Sequence, residues 1–295
     1  MSQSRVMETP PVWTRAVRFI ADDGLEYCGE PEDPDVDVGL ALAEGQSLCV
    51  KILSTKSILD TDVQFTGKTK VIKKLLCPVA TNEIGTIRCI GLNYTDHAAE
   101  MGLDLPSIPE MFMKPATCAL NPTDTISIPS IVTKADPEVE LAVIIGKDCK
   151  NVSVDSALEY ALGYTVANDL TARCLQGKVS QWGYCKGFDG FCPLGPAIVS
   201  AKEIPNPSVL SLKTVLDGAT MQESTTANLI FSVPEIISYL SQGTTLTKGT
   251  VILTGTPAGI GHGRDPPIYL SDTSTLRVSI SHGLGTLTNG IRCEK

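Results

Sequence analysis

Short apolar runs separated by turn residues dominate the first quarter of the chain. Between residues 12 and 75, the runs WTRAVRFI, LEYCGE, VGLALAEG and SLCVKIL alternate with polar segments, and Asp22-Asp23-Gly24 separates the first two. Asp-Gly between two strand-like runs is typical of a β-hairpin. The pattern predicts a small antiparallel β module over residues 1–75, with TKVIKKLLCP leading out of it as a helix-like or irregular segment.

The remainder, residues 76–295, combines short strand patterns, abundant Gly and Pro, and a few helical patterns. VDSALEYALGY and VPEIISYLSQG are the predicted helices, and Gly243 is placed to end the second one. One helical face of VPEIISYLSQG is apolar at Val233, Ile236, Ile237 and Leu240. Because no Gly/Ser-rich linker intervenes, we expect a mainly β domain packed against the N-terminal module.

Three acidic residues lie where strands would hold them close together. Glu138 and Glu140 begin the apolar run of DPEVELAVIIGK, and Asp169 follows the run GYTVAN. Residues two apart in a strand point to the same face, so both glutamates can serve one ion, although such pairs are more often solvated strand edges. Carboxylates without a neighbouring Cys or His pair favour Mg²⁺ or Mn²⁺ over Zn²⁺. The pattern predicts a divalent-metal site.

His97 and Glu100 lie three residues apart in NYTDHAAEMG, so one helical turn places both side chains on the same side. A carboxylate bonded to an imidazole fixes its tautomer and raises its basicity, which suits a general base. The chain contains only three histidines, so the choice of base is narrow. An incidental surface pair is the alternative, and the spacing alone leaves both interpretations open.

A helix that begins at DLTARCLQ would place Asp169, Arg173 and Gln176 on one face, where they could contact the same ligand. Arg presents a bidentate fork to a carboxylate, and Gln can bond a neighbouring oxygen. The sequence GTPAGIG at 255–261 is rich in glycine, but it lacks the Lys-Ser/Thr of a P-loop and the helix-linked pattern of a dinucleotide site. We therefore expect no nucleotide there.

The overall composition favours small-molecule chemistry. A net charge of −9 argues against a nucleic-acid surface. Ten cysteines occur without a C-x-x-C pair in a chain of 295 residues, which predicts reduced thiols. The N-terminal MSQSRVMETPPVW has neither a secretory nor a transit pattern, and no apolar run approaches the length of a membrane span. We expect a cytoplasmic protein with neither a membrane nor a nucleic-acid partner.

Several separated motifs together resemble the fumarylacetoacetate hydrolase family, particularly its acylpyruvase and oxaloacetate decarboxylase-like branch. They are the two acidic segments above and GLNYTDHAAEMG at 91–102, FMKP at 112–115, KGFDGFCPLGP at 186–196 and GTPAGIG at 255–261 followed by PPIYL. Their order and spacing make the resemblance specific, and it covers the chain from residue 12 to residue 292. It implies a mixed, mainly β fold, a β-roll with a few helices and the small N-terminal module, and it implies a homodimer.

The resemblance also implies roles for individual residues. In the family, the dyad that matches His97 and Glu100 activates water, and it lies on a segment that orders when substrate binds. Lys186 matches the positive charge near the metal, where it can neutralise a developing enolate. The implied substrate contacts are Arg173, Gln176 and Thr256.

The implied activity is divalent-metal-dependent cleavage of a C–C bond in a 2-oxo (2,4-diketo) acid through a metal-bound enolate. Attack of water on a 4-keto group gives acylpyruvate hydrolysis, and loss of a β-carboxylate gives oxaloacetate-type decarboxylation. One alternative is proton transfer alone, as in an enol–keto tautomerase or isomerase of the same substrate class. Another is a catalytically silent metal-binding assembly protein. The residues before Lys186, including Gly183 and Cys185, would shape substrate choice, so the substrate itself stays open.

Overall fold

A long β-sheet forms the centre of the protein in the computed structural model, which describes residues 11–295. Residues 1–10, the start of the predicted N-terminal module, lie outside the described residues. The strands are β1 (Arg15–Ala21), β2 (Glu26–Pro31), β3 (Cys49–Leu53), β4 (Phe65–Leu76), β5 (Ile87–Gly91), β6 (Glu110–Lys114), β7 (Ala119–Leu120), β8 (Ile126–Ile128), β9 (Ala135–Asp136), β10 (Val139–Ile145), β11 (Ala161–Asn168), β12 (Thr171–Ala172), β13 (Cys192–Ser200), β14 (Ser211–Leu216), β15 (Ala219–Thr225), β16 (Val251–Leu253), β17 (Thr275–Ile280) and β18 (Gly285–Cys293). The α-helices are α1 (Val38–Ala43), α2 (Thr95–Met101), α3 (Arg173–Gln176) and α4 (Val233–Ser241). Short 3₁₀ helices lie at Thr81–Glu83, Ala116–Cys118, Val154–Tyr160, Pro207–Val209, Thr226–Asn228 and Gly261–Gly263.

The central sheet has eleven strands, with a main path of β2-β3-β4-β1-β13-β11-β10-β16-β5-β6 and β7 beside β13. Because β1 pairs with both β2 and β4, while β3 pairs with β2 and β4 as well, the N-terminal end of this sheet closes on itself. A second sheet has five strands in the order β15-β14-β17-β18-β8. This architecture confirms the predicted mixed, mainly β fold class.

Strand β10 is buried on both faces and therefore holds the residues at its start in place. Leu141 and Val143 pack in a cluster that includes apolar residues of the second sheet, whereas Ala142 packs with residues of β1, β5, β13 and β16. Glu140 points to the same face as Ala142, because side chains alternate along a strand. A strand packed on both sides gives Glu138 and Glu140 little freedom to separate.

The N-terminal strands form the predicted antiparallel module. β1 and β2 pair across the Asp22–Gly24 turn, and Gly24 has φ +80°, a conformation that glycine adopts without steric cost. β1 also pairs with β13, with Arg15 opposite Val199, so the module continues into the central sheet. The boundary at residue 75 stays a prediction.

Two local predictions in this module are wrong. TKVIKKLLCP, predicted to be helix-like or irregular, contributes to β4 as far as Leu76, because β4 pairs with β1 on one side and β3 on the other. VGLALA, predicted as a strand, forms α1, and the side chain of Asp37 caps it by accepting the N–H of Leu40. A cap and neighbouring strands decide these segments, rather than the local apolar pattern.

The helix predictions have mixed outcomes. VPEIISYLSQG forms α4 as predicted, with Glu235 Oε2 accepting the N–H of Ser232 at 2.7 Å and Gly243 following the helix at φ +71°. VDSALEYALGY forms only a 3₁₀ helix over Val154–Tyr160, and its last residues begin β11. Pairing of β11 with β10 and β13 overrides the helical pattern there.

Two expectations drawn from composition can be compared with these elements. All ten cysteines lie within the described residues and are unpaired, as predicted. None of the helices within residues 11–295 is long and apolar enough to cross a membrane.

Candidate metal centre and active site

The three predicted acidic ligands meet at the junction of β10 and β11. Glu138 immediately precedes β10, Glu140 is its second residue, and Asp169 directly follows β11. The two strands are antiparallel neighbours, and the N–H of Asp169 donates to the carbonyl of Glu138 at 2.9 Å. One carboxylate oxygen from each residue lies within 4.8 Å of the other two, and all three side chains are buried. Alternation along β10 and its pairing with β11 thus bring together the three residues that the sequence singles out.

Two buried lysines neutralise part of this negative charge. Lys186 Nζ lies 2.7 Å from Glu138 Oε2 and 2.7 Å from Asp169 Oδ2. Lys114 Nζ lies 2.6 Å from Asp169 Oδ1. Burial is the largest single effect and lowers the pKa of both lysines, but the charge of Asp169 together with other nearby groups, including Glu138 at Lys186, outweighs it, and each pKa is raised. Both lysines therefore remain ammonium ions at neutral pH.

The two glutamates differ in their ionisation. Burial opposes the ionisation of Glu138, but Lys186 and Arg173 outweigh it and lower the pKa of Glu138 to about 2. Burial and the charges of Asp169 and Glu138 raise the pKa of Glu140 well above its ordinary value. Repulsion among neighbouring carboxylates is what a divalent cation relieves, and three carboxylates with no Cys or His among them suit Mg²⁺ or Mn²⁺. The residues present therefore fit a hard divalent cation.

Arg173 and Gln176 lie together beside the cluster, but Asp169 does not share a helix with them. Helix α3 begins only at Arg173, after the short strand β12, so the predicted helix from DLTARCLQ is wrong in its start. Arg173 pairs with Glu138 through one terminal nitrogen, and its other terminal nitrogen donates to Gln176 Oε1 at 2.9 Å. Its Nε lies 2.9 Å from Asp136 Oδ2. Each nitrogen of the guanidinium thus bonds one neighbouring side chain.

Residues 255–262, here called the glycine loop, donate backbone N–H groups to carboxylates of the chain itself. Gly255 donates to Glu140 at 2.6 Å and Gly259 donates to Glu100 at 2.8 Å. Gly255 and Gly259 have φ near +100°, which non-glycine residues rarely adopt. The Thr256 hydroxyl donates to a backbone carbonyl of β10 at 3.0 Å, so the loop lies against the start of that strand.

His97 and Glu100 form the predicted pair on α2. His97 Nδ1 lies 2.9 Å from Glu100 Oε2. Glu100 and Glu140 both accept N–H groups of the glycine loop, from Gly259 and Gly255, so the pair and the carboxylate cluster lie against the same loop. Asp96 fastens the helix, because its Oδ2 accepts the hydroxyl of Ser224 at 2.5 Å. The arrangement can present a base beside the loop that also contacts the carboxylate cluster.

Comparisons with known proteins decide the family. A family model described as fumarylacetoacetate (FAA) hydrolase, C-terminal, matches residues 86–292. The chain belongs to the fumarylacetoacetate hydrolase family. It is 40% identical over 290 residues to a caffeoylpyruvate hydrolase of Neonothopanus nambi, an alignment that covers 96% of this chain and 94% of that protein.

Other relatives carry different activities in their names. The chain is 38% identical over 240 residues to the mitochondrial oxaloacetate tautomerase fahd2 of Xenopus laevis, covering 81% of this chain and 74% of that protein. The crystal structure of a 2-hydroxyhepta-2,4-diene-1,7-dioate isomerase from Mycobacterium marinum superposes with a TM-score of 0.79 at 32% identity, covering 96% of this chain and 99% of that one. The protein is therefore a fumarylacetoacetate hydrolase family enzyme, and its relatives include hydrolases, tautomerases and isomerases.

Three buried polar residues of this family member escaped the sequence interpretation. Lys114 belongs to the motif FMKP quoted above. The sequence feature that could have identified it is a lysine two positions after Phe112 on a short strand. Asp136 is fully buried beside Arg173, and only its place two residues before Glu138 hints at a role. Gln222 accepts the N–H of the first residue of β10 at 2.9 Å and donates to the Thr256 hydroxyl at 2.8 Å, and no sequence signal marks it.

Proposed function

We propose that the protein is a divalent-metal-dependent enzyme that cleaves a C–C bond of a 2,4-dioxo acid, in the manner of an acylpyruvate hydrolase. The observation that carries the proposal is the buried cluster of Glu138, Glu140 and Asp169, with Lys186 bonded to two of its three members. Full-length similarity to a caffeoylpyruvate hydrolase supports this type of reaction. The metal ligands of the proposal are these three carboxylates, and the ion is Mg²⁺ or Mn²⁺.

A divalent cation bound there would act as a Lewis acid toward the carboxylate and keto oxygens of a 2-oxo acid. Lys186 contributes a fixed positive charge beside Glu138 and Asp169, where negative charge develops on the substrate as its C–C bond breaks. Arg173, Gln176 and the Thr256 hydroxyl are the proposed substrate contacts. In the structure Arg173 is paired with Asp136 and Glu138, so binding a substrate carboxylate would require it to exchange one of these partners.

Hydrolysis also requires a base for water, and the His97–Glu100 pair is the proposed base. Glu100 accepts one bond from His97 and another from the N–H of Gly259, which holds the carboxylate in place. An imidazole whose Nδ1 is bonded to a carboxylate presents Nε2 to accept a proton from water. Loss of a β-carboxylate as CO₂ needs no such base, so oxaloacetate decarboxylation by the same site remains part of the proposal.

The second candidate is an enol–keto tautomerase or isomerase of the same substrate class. The observation that favours it is the likeness to an oxaloacetate tautomerase and to a 2-hydroxyhepta-2,4-diene-1,7-dioate isomerase. The same lysine and imidazole could move a proton between oxygen and carbon in a tautomerase, or between two carbon atoms in an isomerase, without attack by water. Both candidates share the metal cluster, so they differ only in the fate of the substrate.

Product analysis by NMR distinguishes the candidates. The purified protein with Mg²⁺ should convert an acylpyruvate into pyruvate and a carboxylic acid, and in H₂¹⁸O the label should enter the new carboxylic acid. Exchange of the C3 protons in D₂O without pyruvate formation would instead identify a tautomerase. Absence of both reactions over a panel of 2-oxo acids would contradict the proposal.

The partner that we propose is a second copy of the chain. Strand β6 ends the path of the central sheet within residues 11–295, and an open sheet edge favours pairing or cover. Met111 and Met113 point away from Lys114 on this edge and are 43% and 52% exposed. An apolar sheet edge of this kind suits the symmetric contact of a homodimer.

A further inference from the structure

Asp136, the last residue of β9, is a buried carboxylate that the proposed reaction does not use. Its side chain is fully buried. Oδ1 accepts the N–H of Gly261 at 2.8 Å, and Oδ2 accepts the N–H of His262 at 3.0 Å. Oδ2 also lies 2.9 Å from Arg173 Nε. One carboxylate therefore binds the end of the glycine loop and the guanidinium at the same time.

The contacts continue from Arg173 to the metal cluster. A terminal nitrogen of its guanidinium pairs with Glu138 Oε1, and the whole side chain is 5% exposed. Within residues 11–295, the guanidinium forms hydrogen bonds with Asp136, Glu138 and Gln176, and none with the glycine loop itself. Asp136 is therefore the one side chain that bonds both Arg173 and the loop directly within these residues, because Glu138 reaches the loop only through its neighbours in β10.

The end of the loop is shaped to reach Asp136. A Cβ added to Gly261 would lie 1.8 Å from the carbonyl oxygen of Ile268 and 2.8 Å from Asp136 Oδ1. Real Cβ atoms do not approach other atoms so closely, so any side chain at 261 would push the loop away from the carboxylate. A buried carboxylate bound by two backbone N–H groups and a guanidinium is also fully satisfied, which makes the contact rigid.

We propose that Asp136 is a positioning residue that couples the glycine loop to the metal-binding carboxylate Glu138 through Arg173. Two carboxylates share one guanidinium, so the charge of Asp136 limits how strongly Arg173 pairs with Glu138. Without that charge, Arg173 pairs with Glu138 alone and competes with a cation for it, while the loop loses its anchor. The predicted effect of Asp136 on cation binding rests on the proposed metal site. The predicted effect of Asp136 on the glycine loop does not depend on that site.

The first experiment measures the loop without any metal. Hydrogen–deuterium exchange of residues 255–262 should become about tenfold faster in Arg173→Lys, the scale of one weakened hydrogen bond to a charged group. A single ammonium cannot reach Asp136 and Glu138 in the geometry of the guanidinium, although it keeps the positive charge. Unchanged exchange in a folded Arg173→Lys variant would overturn the coupling, because Asp136 would then hold the loop independently of Arg173.

The second experiment measures Mn²⁺ binding by electron paramagnetic resonance of the chelator-treated protein. Asp136→Asn should raise the dissociation constant of Mn²⁺ about tenfold or more, as losses of partners behind metal ligands typically do. Asp37→Asn is the matched control, because Asp37 accepts the N–H groups of Leu40 and Thr286 away from this site. The control should lower the melting temperature and leave Mn²⁺ affinity within about twofold.

The outcomes separate this inference from the proposed function. Equal Mn²⁺ affinity in wild type and a folded Asp136→Asn variant would overturn the effect on the cation. If wild type binds no Mn²⁺, the proposed function fails, while the exchange measurement on Arg173→Lys still decides the coupling. If Asp136→Asn does not fold, the exchange measurement on Arg173→Lys still tests the coupling, because Asp136 is intact in that variant.

Discussion

At the scale of single residues, the site is a balance of buried charges. The four carboxylates of Asp136, Glu138, Glu140 and Asp169 face three cations, Lys114, Arg173 and Lys186. Burial and the charges of Asp169 and Glu138 raise the pKa of Glu140, whereas Lys186 and Arg173 overcome burial at Glu138 and lower its pKa to about 2. One carboxylate thus lacks a cationic partner of its own, and a bound divalent ion would supply it.

The role proposed for His97 predicts that two activities diverge in one variant. His97→Ala should lower acylpyruvate hydrolysis by about 10²-fold or more, because the water loses its base. Oxaloacetate decarboxylation should fall much less, since carbon dioxide leaves without attack by water. Lys186→Ala should lower both activities, because both develop negative charge beside that ammonium. Steady-state kinetics on the two substrates measures the difference, and equal losses in His97→Ala would show that the pair is not the hydrolytic base.

The residues that sequence patterns could identify are those whose partners are close in sequence or repeat with a strand or helix period. Glu138 with Glu140, and His97 with Glu100, belong to this group. Lys114 could not be placed, because it meets Asp169 across 55 positions of sequence. Gln222 likewise binds the start of β10 across 83 positions. Only the pairing of distant strands determines such contacts.

At the scale of elements, helix α2 carries the proposed base and is held by contacts with β15 and with the glycine loop. Asp96 Oδ2 accepts the hydroxyl of Ser224 on β15 and also lies 3.3 Å from Asn228 Nδ2. Helix α2 ends at Gly102 in the left-handed conformation, and the apolar residues after it are exposed. The helix is therefore held at its first turn by Asp96 and at its last turn by Glu100, which accepts the N–H of Gly259, and the exposed apolar segment begins after these contacts.

Removing the Asp96 side chain should loosen the helix while keeping the side chains of the proposed base, although His97 loses the acceptor of its backbone N–H. Asp96→Ala should speed hydrogen–deuterium exchange in residues 95–101 and raise the KM of the acylpyruvate about tenfold, the scale of lost hydrogen bonds to a charged group. Asp104→Ala removes the same charge from an exposed position shortly after α2 and serves as the control. Equal exchange in both variants would show that other contacts hold α2.

Local patterns were sufficient for some elements and failed for others at this scale. Helix α4 has a complete amphipathic stripe and its own capping box, so it could be predicted in isolation. The segment 154–164 has a similar stripe, but β11 takes its second half because β10 and β13 both pair with it. Strands of the sheet could therefore not be predicted from local patterns alone, because pairing between segments distant in sequence decides where they form.

At the scale of the whole molecule, the open edge of the central sheet predicts association. Light scattering at micromolar concentration should give about twice the 31.4 kDa of one chain. Replacing both Met111 and Met113 by lysine should shift the mass toward one chain, because charge on an edge strand opposes pairing. Phe65→Lys, on the half-exposed start of β4, is a control that should not change the mass. A wild-type mass of a single chain would contradict the homodimer.

The requirement for a divalent ion at Glu138, Glu140 and Asp169 is tested most directly by one titration. Chelator-treated protein is titrated with Mn²⁺ while bound metal and acylpyruvate hydrolysis are measured on the same samples. Activity should return in proportion to one bound Mn²⁺ per chain. Glu140→Ala should keep the wild-type circular dichroism spectrum yet neither bind Mn²⁺ nor recover activity over the same range, because it loses a direct ligand. Full activity in excess EDTA, or wild-type binding by Glu140→Ala, would contradict the metal site.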